Sequence, residues 1–389
     1  MKENRFLTSL IGSWPRSEKL LKLKKQLKRN ESVMDEYNNL LVSETGKIIK
    51  LQEDLNLDYI VSGELERDNF VSFVGEKIKG VKILNMSEML EYIEDKFAFE
   101  QILNTLDVPS LSIKNAICFD KLELDESLCA KEVELIKQFS DKPIKITLPG
   151  PYLMTRSMWL PKLSKNYYSS KEELGKDVVE ILKSEIDTLD KLGVQIIQFD
   201  EPVLTEVVFT PDKTRTFMCS ALSEKQDPKD ELKFAANLIK QVMDYAKTKN
   251  SKVALHVCRG NWSKDESTLL SGSYGPLIEL FKEVNPDILN LEFSTPRAGE
   301  IDVLFNNLDM KNTILGLGVI NPRTDDIELI TEIVSFVDET LKFTTPENLW
   351  LNPDCGFATF ANRPVGVENI IVEKIKALTT SARIMKEKR

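Results

Sequence analysis

Short runs of apolar and β-branched residues punctuate the chain at residues 6–13, 59–63, 143–149, 194–200, 252–258, 287–293, 313–320 and 348–353. Each has the length of a strand. Between most of them the apolar positions switch to helical spacing, as in SEKLLKLKKQLKRN, KDVVEILKSEIDTLDKLG, DELKFAANLIKQVMDYAKTKN, GPLIELFKEV and DIELITEIVSFVDETLKF. Strand alternating with helix predicts a parallel sheet. Eight such units without a glycine-rich dinucleotide turn favour a closed α/β architecture, the eight-stranded parallel β/α (TIM) barrel, over an open doubly wound sheet. Residues 65–142 exceed a simple crossover and predict an inserted hairpin with helices after the second strand. Repeats, low-complexity tracts and Gly-, Pro- or Ser-rich linkers are absent, so residues 1–389 read as a single barrel domain.

A barrel of this kind places its chemistry at the C-terminal ends of the strands. The polar residues of the pattern fall there: Ser13 in LIGSWP, Glu64 in VSGELERD, Asp200 and Glu201 in QFDEP, His256 and Cys258 in ALHVCRGNW, Glu292 in LNLEFS, Asn321 in GVINPR, and Asp354 with Cys355 in LNPDCG. His256 is the only histidine of the chain. Alone, it reads equally as a satisfied core histidine, and the cysteines as small buried hydrophobes. Together, histidine, cysteine, carboxylate and cysteine at successive strand ends make a zinc site able to exchange one ligand for a substrate. A thiol that joins such a site loses its proton, which answers the weak nucleophilicity of a free thiol at neutral pH. Glu292 is the ligand expected to yield, because a carboxylate suits zinc less well than two thiolates.

Charge and cysteine usage narrow the partners. With 62 acidic against 52 basic side chains, the net charge of -10 disfavours nucleic acid and favours a small polar substrate. The 5 cysteines are odd in number and scattered, which argues against a secreted disulfide framework and for a reducing cytoplasm. Cys118, Cys129 and Cys219 suggest nothing beyond burial. The first residues lack the apolar run of a signal peptide, and no later segment approaches a membrane span.

Read in order, IGSWP, GELERDNF, DKPIKITLPGP, IIQFDEPVLTE, HVC, LNLEFS, GLGVINPR and LWLNPDCG resemble the catalytic barrel of the cobalamin-independent methionine synthase family over nearly the whole chain. The resemblance implies a zinc-dependent methyltransferase acting on homocysteine, with His256, Cys258, Glu292 and Cys355 as metal ligands. Glu64 and Asp200 match positions that hold the amino group of the substrate. Ile11, Gly12 and Ser13 match the loop that receives its carboxylate, and Glu206 matches a carboxylate that contacts the pterin of a methylfolate donor. Capping or salt-bridged acids at strand ends are the plainer account of Glu64 and Asp200, and a solvated loop acid that of Glu206.

The chain also departs from that family. The N-terminal barrel of the long synthases has no counterpart in the sequence. Ser157 stands where relatives place a pterin-stacking tryptophan, with Trp159 close by. Asn321 and Arg323 follow the seventh strand where relatives carry a histidine suited to proton delivery, which leaves water or Asp354 to protonate the leaving group. The loop RGNWSKDESTLLSGSYGP is long enough to form a lid, and Arg259 either pairs with an anionic substrate or packs against a helix end. A methylfolate or a methylated corrinoid protein is the expected donor. The alternatives are a thiol alkyltransferase of another kind, for example one joining an epoxide to coenzyme M, and a non-catalytic zinc or thiol-binding barrel.

Overall fold

The computed structural model describes residues 4–27, 29, 31–93, 96–97, 114–209 and 227–388. Cys219 lies outside the described residues. An antiparallel hairpin, β1 (Ile78–Asn85) and β2 (Lys114–Leu124), precedes the parallel strands β3 (Lys145–Pro149), β4 (Ile196–Asp200), β5 (Lys252–Val257), β6 (Ile288–Glu292), β7 (Ile314–Ile320) and β8 (Leu349–Pro353). The parallel strands pair strictly in sequence order.

The expected first and second strands close the ring without forming ladders of their own. Thr8 bridges Leu351 on β8, the Thr8 carbonyl accepts from the N–H groups of Asp58 and Tyr59, and Ile60 bridges Ile144 just before β3. Eight staves therefore close into a barrel, two of them joined at single bridges. Backbone turns account for their brevity: Phe6 and Glu64 adopt φ of 48° and 56°, and Gly63 adopts 80°, values incompatible with a continuing strand.

Helices cover the outside for the reason the spacing gave. In the helix Lys171–Lys191, Leu174, Val178, Leu182, Ile186 and Leu189 recur on one buried face, and the Ser170 side chain caps the first turn by accepting from Glu173 N. In Pro228–Ala246, Asp227 caps and Pro228 opens the helix, burying Ala235, Ile239, Val242 and Met243. Burial of each large aliphatic side chain contributes roughly 1.5–3 kcal/mol. Glu185 on the first helix reaches the insertion, accepting from Leu128 N, Cys129 N and Ser127 Oγ.

Inside the barrel the lining is partly polar. Asn290 Nδ2 donates to Gln198 Oε1 at 2.8 Å, and Gln198 Nε2 donates to Asp200 Oδ1 at 2.7 Å. Gly316 on β7 makes room for this chain, since a Cβ there would lie 1.8 Å from Asn290 Oδ1. The inserted hairpin packs over the C-terminal mouth: Leu84 and Ile117 join Trp262, Leu269 and Leu270 of the loop after β5, and Phe360 of the loop after β8, in one apolar cluster. Among the described residues no helix is long and apolar enough to cross a membrane.

Candidate metal and thiol site

Strand register builds the centre of the site. Asp200 and His256 are cross-strand partners in β4 and β5, so carboxylate and imidazole lie side by side, with His256 Nδ1 donating to Asp200 Oδ1 at 2.9 Å. The other ring nitrogen, Nε2, lies 3.1 Å from the Asp354 carbonyl. Burial disfavours a charged imidazole, but the Asp200 carboxylate outweighs it and raises the His256 pKa to about 9.

Two residues on, Cys258 emerges from β5, and Cys355 arrives from the end of β8. The ligand atoms of His256, Cys258 and Cys355 all lie within 4.8 Å of one another, and the three side chains are buried. The Cys258 thiol is held below its ordinary pKa because the Cys355 S–H donates to it and His256 is cationic, effects that overcome burial. A buried imidazole and two convergent sulfurs form a donor set that fits a thiophilic divalent ion. His256 Nδ1 is oriented by Asp200, the usual arrangement behind a metal-bound histidine, and Nε2 is free to turn from the carbonyl to an ion.

Glu292 ends β6 on the same rim, yet it does not join that cluster. Its carboxylate lies among Arg259 Nη1 at 3.3 Å, Arg297 Nη2 at 3.6 Å and Arg323 Nη1 at 3.7 Å. Arg259 is therefore turned toward the protein. It donates to Glu292, to the Gly272 carbonyl at 2.8 Å and to the Ala298 carbonyl at 3.0 Å, and it stacks 3.9 Å from the Tyr274 ring centroid. Asp354 is enclosed too: it accepts from Phe293 N, Ser294 N, Ser294 Oγ and Arg323 Nη2. Burial and the nearby Glu292 push its pKa up to about 6 against the pull of Arg323.

A pocket opens beside the cluster. Ile11, Ser13, Glu64 and Asp200 line it together with His256, Cys258 and Cys355. Gly12 lies against Glu64, and Ser13 Oγ accepts from Ala358 N at 3.2 Å. Glu64 is buried, and desolvation raises its pKa, while Arg67 at 3.7 Å and the Thr147 hydroxyl at 2.6 Å oppose the shift. Its left-handed backbone, at φ 56°, is strain of the kind that gathers at binding sites. Glu201, the neighbour of Asp200, points the other way and accepts from Tyr152 N and Leu153 N, as strand alternation requires.

Besides Arg259, Glu292 and Asp354, two more of the expected residues stand away from this pocket. Trp159 is packed into the main apolar core, and Glu206 is buried beside Arg156 at 3.6 Å, so it is not a solvated loop acid. The sequence reading missed Phe70, Asn261 and Thr359 in the pocket wall and Arg297 beside Glu292. Asn261 and Phe70 carried a signal, the first three residues after Cys258 in the same motif and the second closing GELERDNF.

With this geometry in place, the chain can be set beside known proteins. Residues 6–365 match the family described as the catalytic domain of cobalamin-independent synthase. A 5-methyltetrahydropteroyltriglutamate–homocysteine methyltransferase of Bacillus licheniformis is 25% identical over 352 residues, which cover 90% of this chain and 40% of that protein. The chain thus spans about 40% of the length of the curated relatives it matches. Among solved structures, a B12-independent methionine synthase from Shewanella sp. W3-18-1, in complex with selenomethionine, superposes with a TM-score of 0.71 at 19% identity, covering 99% of this chain and 98% of that one. A putative vitamin-B12 independent methionine synthase from Listeria monocytogenes gives 0.68 at 17% identity, covering 98% of each chain. These two likenesses bear on the fold, and the family match over most of the chain bears on descent. The chain belongs to the family of catalytic domains of cobalamin-independent synthases.

Proposed function

We propose that this chain is a zinc-dependent methyltransferase that methylates the thiol of homocysteine to give methionine, with a methylfolate as donor. The observation that carries the reading is the juxtaposition of the His256, Cys258 and Cys355 cluster with Ser13, Glu64 and Asp200 in one pocket. Zinc held by that cluster would acidify and orient a coordinated thiol.

The other roles fall to the protein's own groups. Glu64 and Asp200 would hold the substrate ammonium, and the Ile11–Gly12–Ser13 loop its carboxylate, which fixes the sulfur near the cysteines. Fixed placement is the main demand of an in-line displacement. In that displacement the sulfur–carbon bond forms, the bond from methyl to the pterin nitrogen breaks, and the nitrogen takes up a proton. Asp354 is enclosed by four donors and does not line the pocket, so water is the source we propose for that proton.

Two further points bear on substrate choice. The description of the family as cobalamin-independent favours methylfolate over a methylated corrinoid protein. The pair of buried acids favours an amino-acid thiol over coenzyme M, which has no ammonium for them. The test is methionine formation by zinc-loaded protein from homocysteine with methyltetrahydrofolate and, separately, with methylcobalamin. Transfer from the folate is the expected result. Transfer from the cobalamin alone would replace the folate with a corrinoid donor, and transfer from neither would move the reading to another alkyl donor.

A further inference from the structure

Glu292 is surrounded by guanidinium groups that it only half engages. Oε1 accepts from Arg259 Nη1 at 3.3 Å, whereas Oε2 lies 3.6 Å from Arg297 Nη2 and 3.7 Å from Arg323 Nη1 and has no hydrogen-bond partner. Arg297 is its complement. The side chain is only 8% exposed, and none of Nε, Nη1 and Nη2 has a hydrogen-bond partner. Arg259 and Arg323 have other acceptors: the Gly272 and Ala298 carbonyls for the first, Asp354 and the Gly260 carbonyl for the second. A buried acceptor and a buried donor fork thus face each other just beyond hydrogen-bonding distance. Buried polar groups left unpaired are costly and rare, so their presence here calls for a functional account.

We propose that Arg259, Arg297 and Arg323 form a receiving cradle for the Glu292 carboxylate, which settles into it whenever a substrate thiol takes the place of that carboxylate at the metal site. The inference rests on the zinc and thiol-acceptor reading above. Glu292, at the end of β6, would complete the donor set of His256, Cys258 and Cys355 in the absence of substrate, and a thiol that took its place would give up its proton to solvent. Without a cradle the released carboxylate would be buried and uncompensated, a costly state. Planar guanidinium forks suit a carboxylate geometrically. Arg297 lies in the turn Pro296–Ala298, a few residues after β6, which brings its Nη2 to 3.6 Å from Glu292 Oε2. Arg259, Arg297 and Arg323 are positioning residues in this scheme, acting through Glu292.

The test is zinc K-edge X-ray absorption on the zinc-loaded full chain, wild type, R297M and R297K, with and without homocysteine, together with homocysteine affinity by calorimetry. In the wild type, homocysteine should add one sulfur and remove one oxygen or nitrogen from the zinc shell. R297M should add the sulfur but keep the oxygen, and should bind homocysteine roughly tenfold more weakly. R297K should recover part of both effects. The Arg297 side chain makes no hydrogen bond and sits in a loop turn, so folding should survive, with zinc stoichiometry as the check. An R297M shell and affinity equal to wild type would overturn the cradle. A wild type that gains no sulfur would instead overturn the thiol-acceptor reading, and the cradle with it.

Discussion

Replacing Gly12 with alanine tests whether Glu64 is held in place for a substrate. A Cβ at residue 12 would lie 2.0 Å from Glu64 Oε1 and 3.1 Å from both Glu64 Cδ and Thr147 Cγ2. The carboxylate oxygen must retreat by about 1.4 Å or more to reach ordinary van der Waals contact. It cannot do so freely, because Oε1 accepts from Thr147 Oγ1 at 2.6 Å, and the Glu64 backbone is tied by Ser62 Oγ to its N–H and by Arg16 Nη2 to its carbonyl. Retreat therefore breaks the Thr147 bond. A buried hydrogen bond to a charged group is worth about 1.5–3 kcal/mol, so G12A should lose about that much stability. If Glu64 holds the substrate ammonium, homocysteine affinity should fall roughly 10- to 100-fold while zinc content is unchanged. Urea unfolding, calorimetric titration with homocysteine and metal analysis read the three quantities. T147V, which removes the hydroxyl without the clash, should show the smaller effect of the same sign. Lost stability with wild-type homocysteine affinity would refute the assignment of Glu64, and wild-type stability would refute the close approach itself.

Other outcomes follow from the same geometry. D200N removes the charge that orients His256 Nδ1, so zinc affinity should fall roughly 10- to 100-fold in a chelator competition while saturating zinc still loads, and homocysteine should bind more weakly. Lys145 is fully buried, its ammonium bonded to the Leu10 carbonyl and Ser9 Oγ, and desolvation lowers its pKa to about 7 despite Asp200 and Glu64. The unfolded chain binds this proton up to about pH 10.4, so between about pH 7 and that value it holds more protons than the folded chain and stability rises with pH. The rise is at most roughly 1.4 kcal/mol per pH unit, and K145M should abolish it in unfolding curves measured across the window. Y274F removes the hydroxyl that donates to the Val257 carbonyl and accepts from Glu292 N. It should cost about 1–3 kcal/mol in urea unfolding and leave zinc stoichiometry at the wild-type value.

Strand existence was legible in the sequence because the barrel strands are buried on both faces and read as unbroken apolar runs; β3 to β8 begin and end within two residues of the expected positions. The first two runs misled only as to form. Phe6, Gly63 and Glu64 take left-handed backbone angles that apolar patterning does not encode, and so these segments bridge their neighbours at single residues. The inserted hairpin was expected from the length of the insertion, but its role as a roof over the mouth depends on contacts with Trp262 and Phe360 far along the chain.

The site was legible to the extent that it is made of strand ends. His256, Cys258 and Cys355 converge because β5 and β8 open on the same rim, and Asp200 meets His256 through register alone. Glu292 shows the limit of such reasoning. Its position was legible, but its partners come from three separate loops, and no spacing in the sequence relates Arg259, Arg297 and Arg323. Sequence alone leaves Arg259 open to pairing with an anionic substrate; burial and the Gly272 and Ala298 carbonyls turn it into the protein, away from the pocket.

The most direct test of the account is the dependence of methionine formation on zinc at this cluster: remove metal with a chelator, restore it in steps, and measure rate against bound zinc for the wild type and for C355S. The account predicts a rate proportional to zinc up to one ion per chain in the wild type, and neither stoichiometric zinc nor methyl transfer in C355S. Transfer by the metal-free wild type, or full zinc retention in C355S, would contradict it.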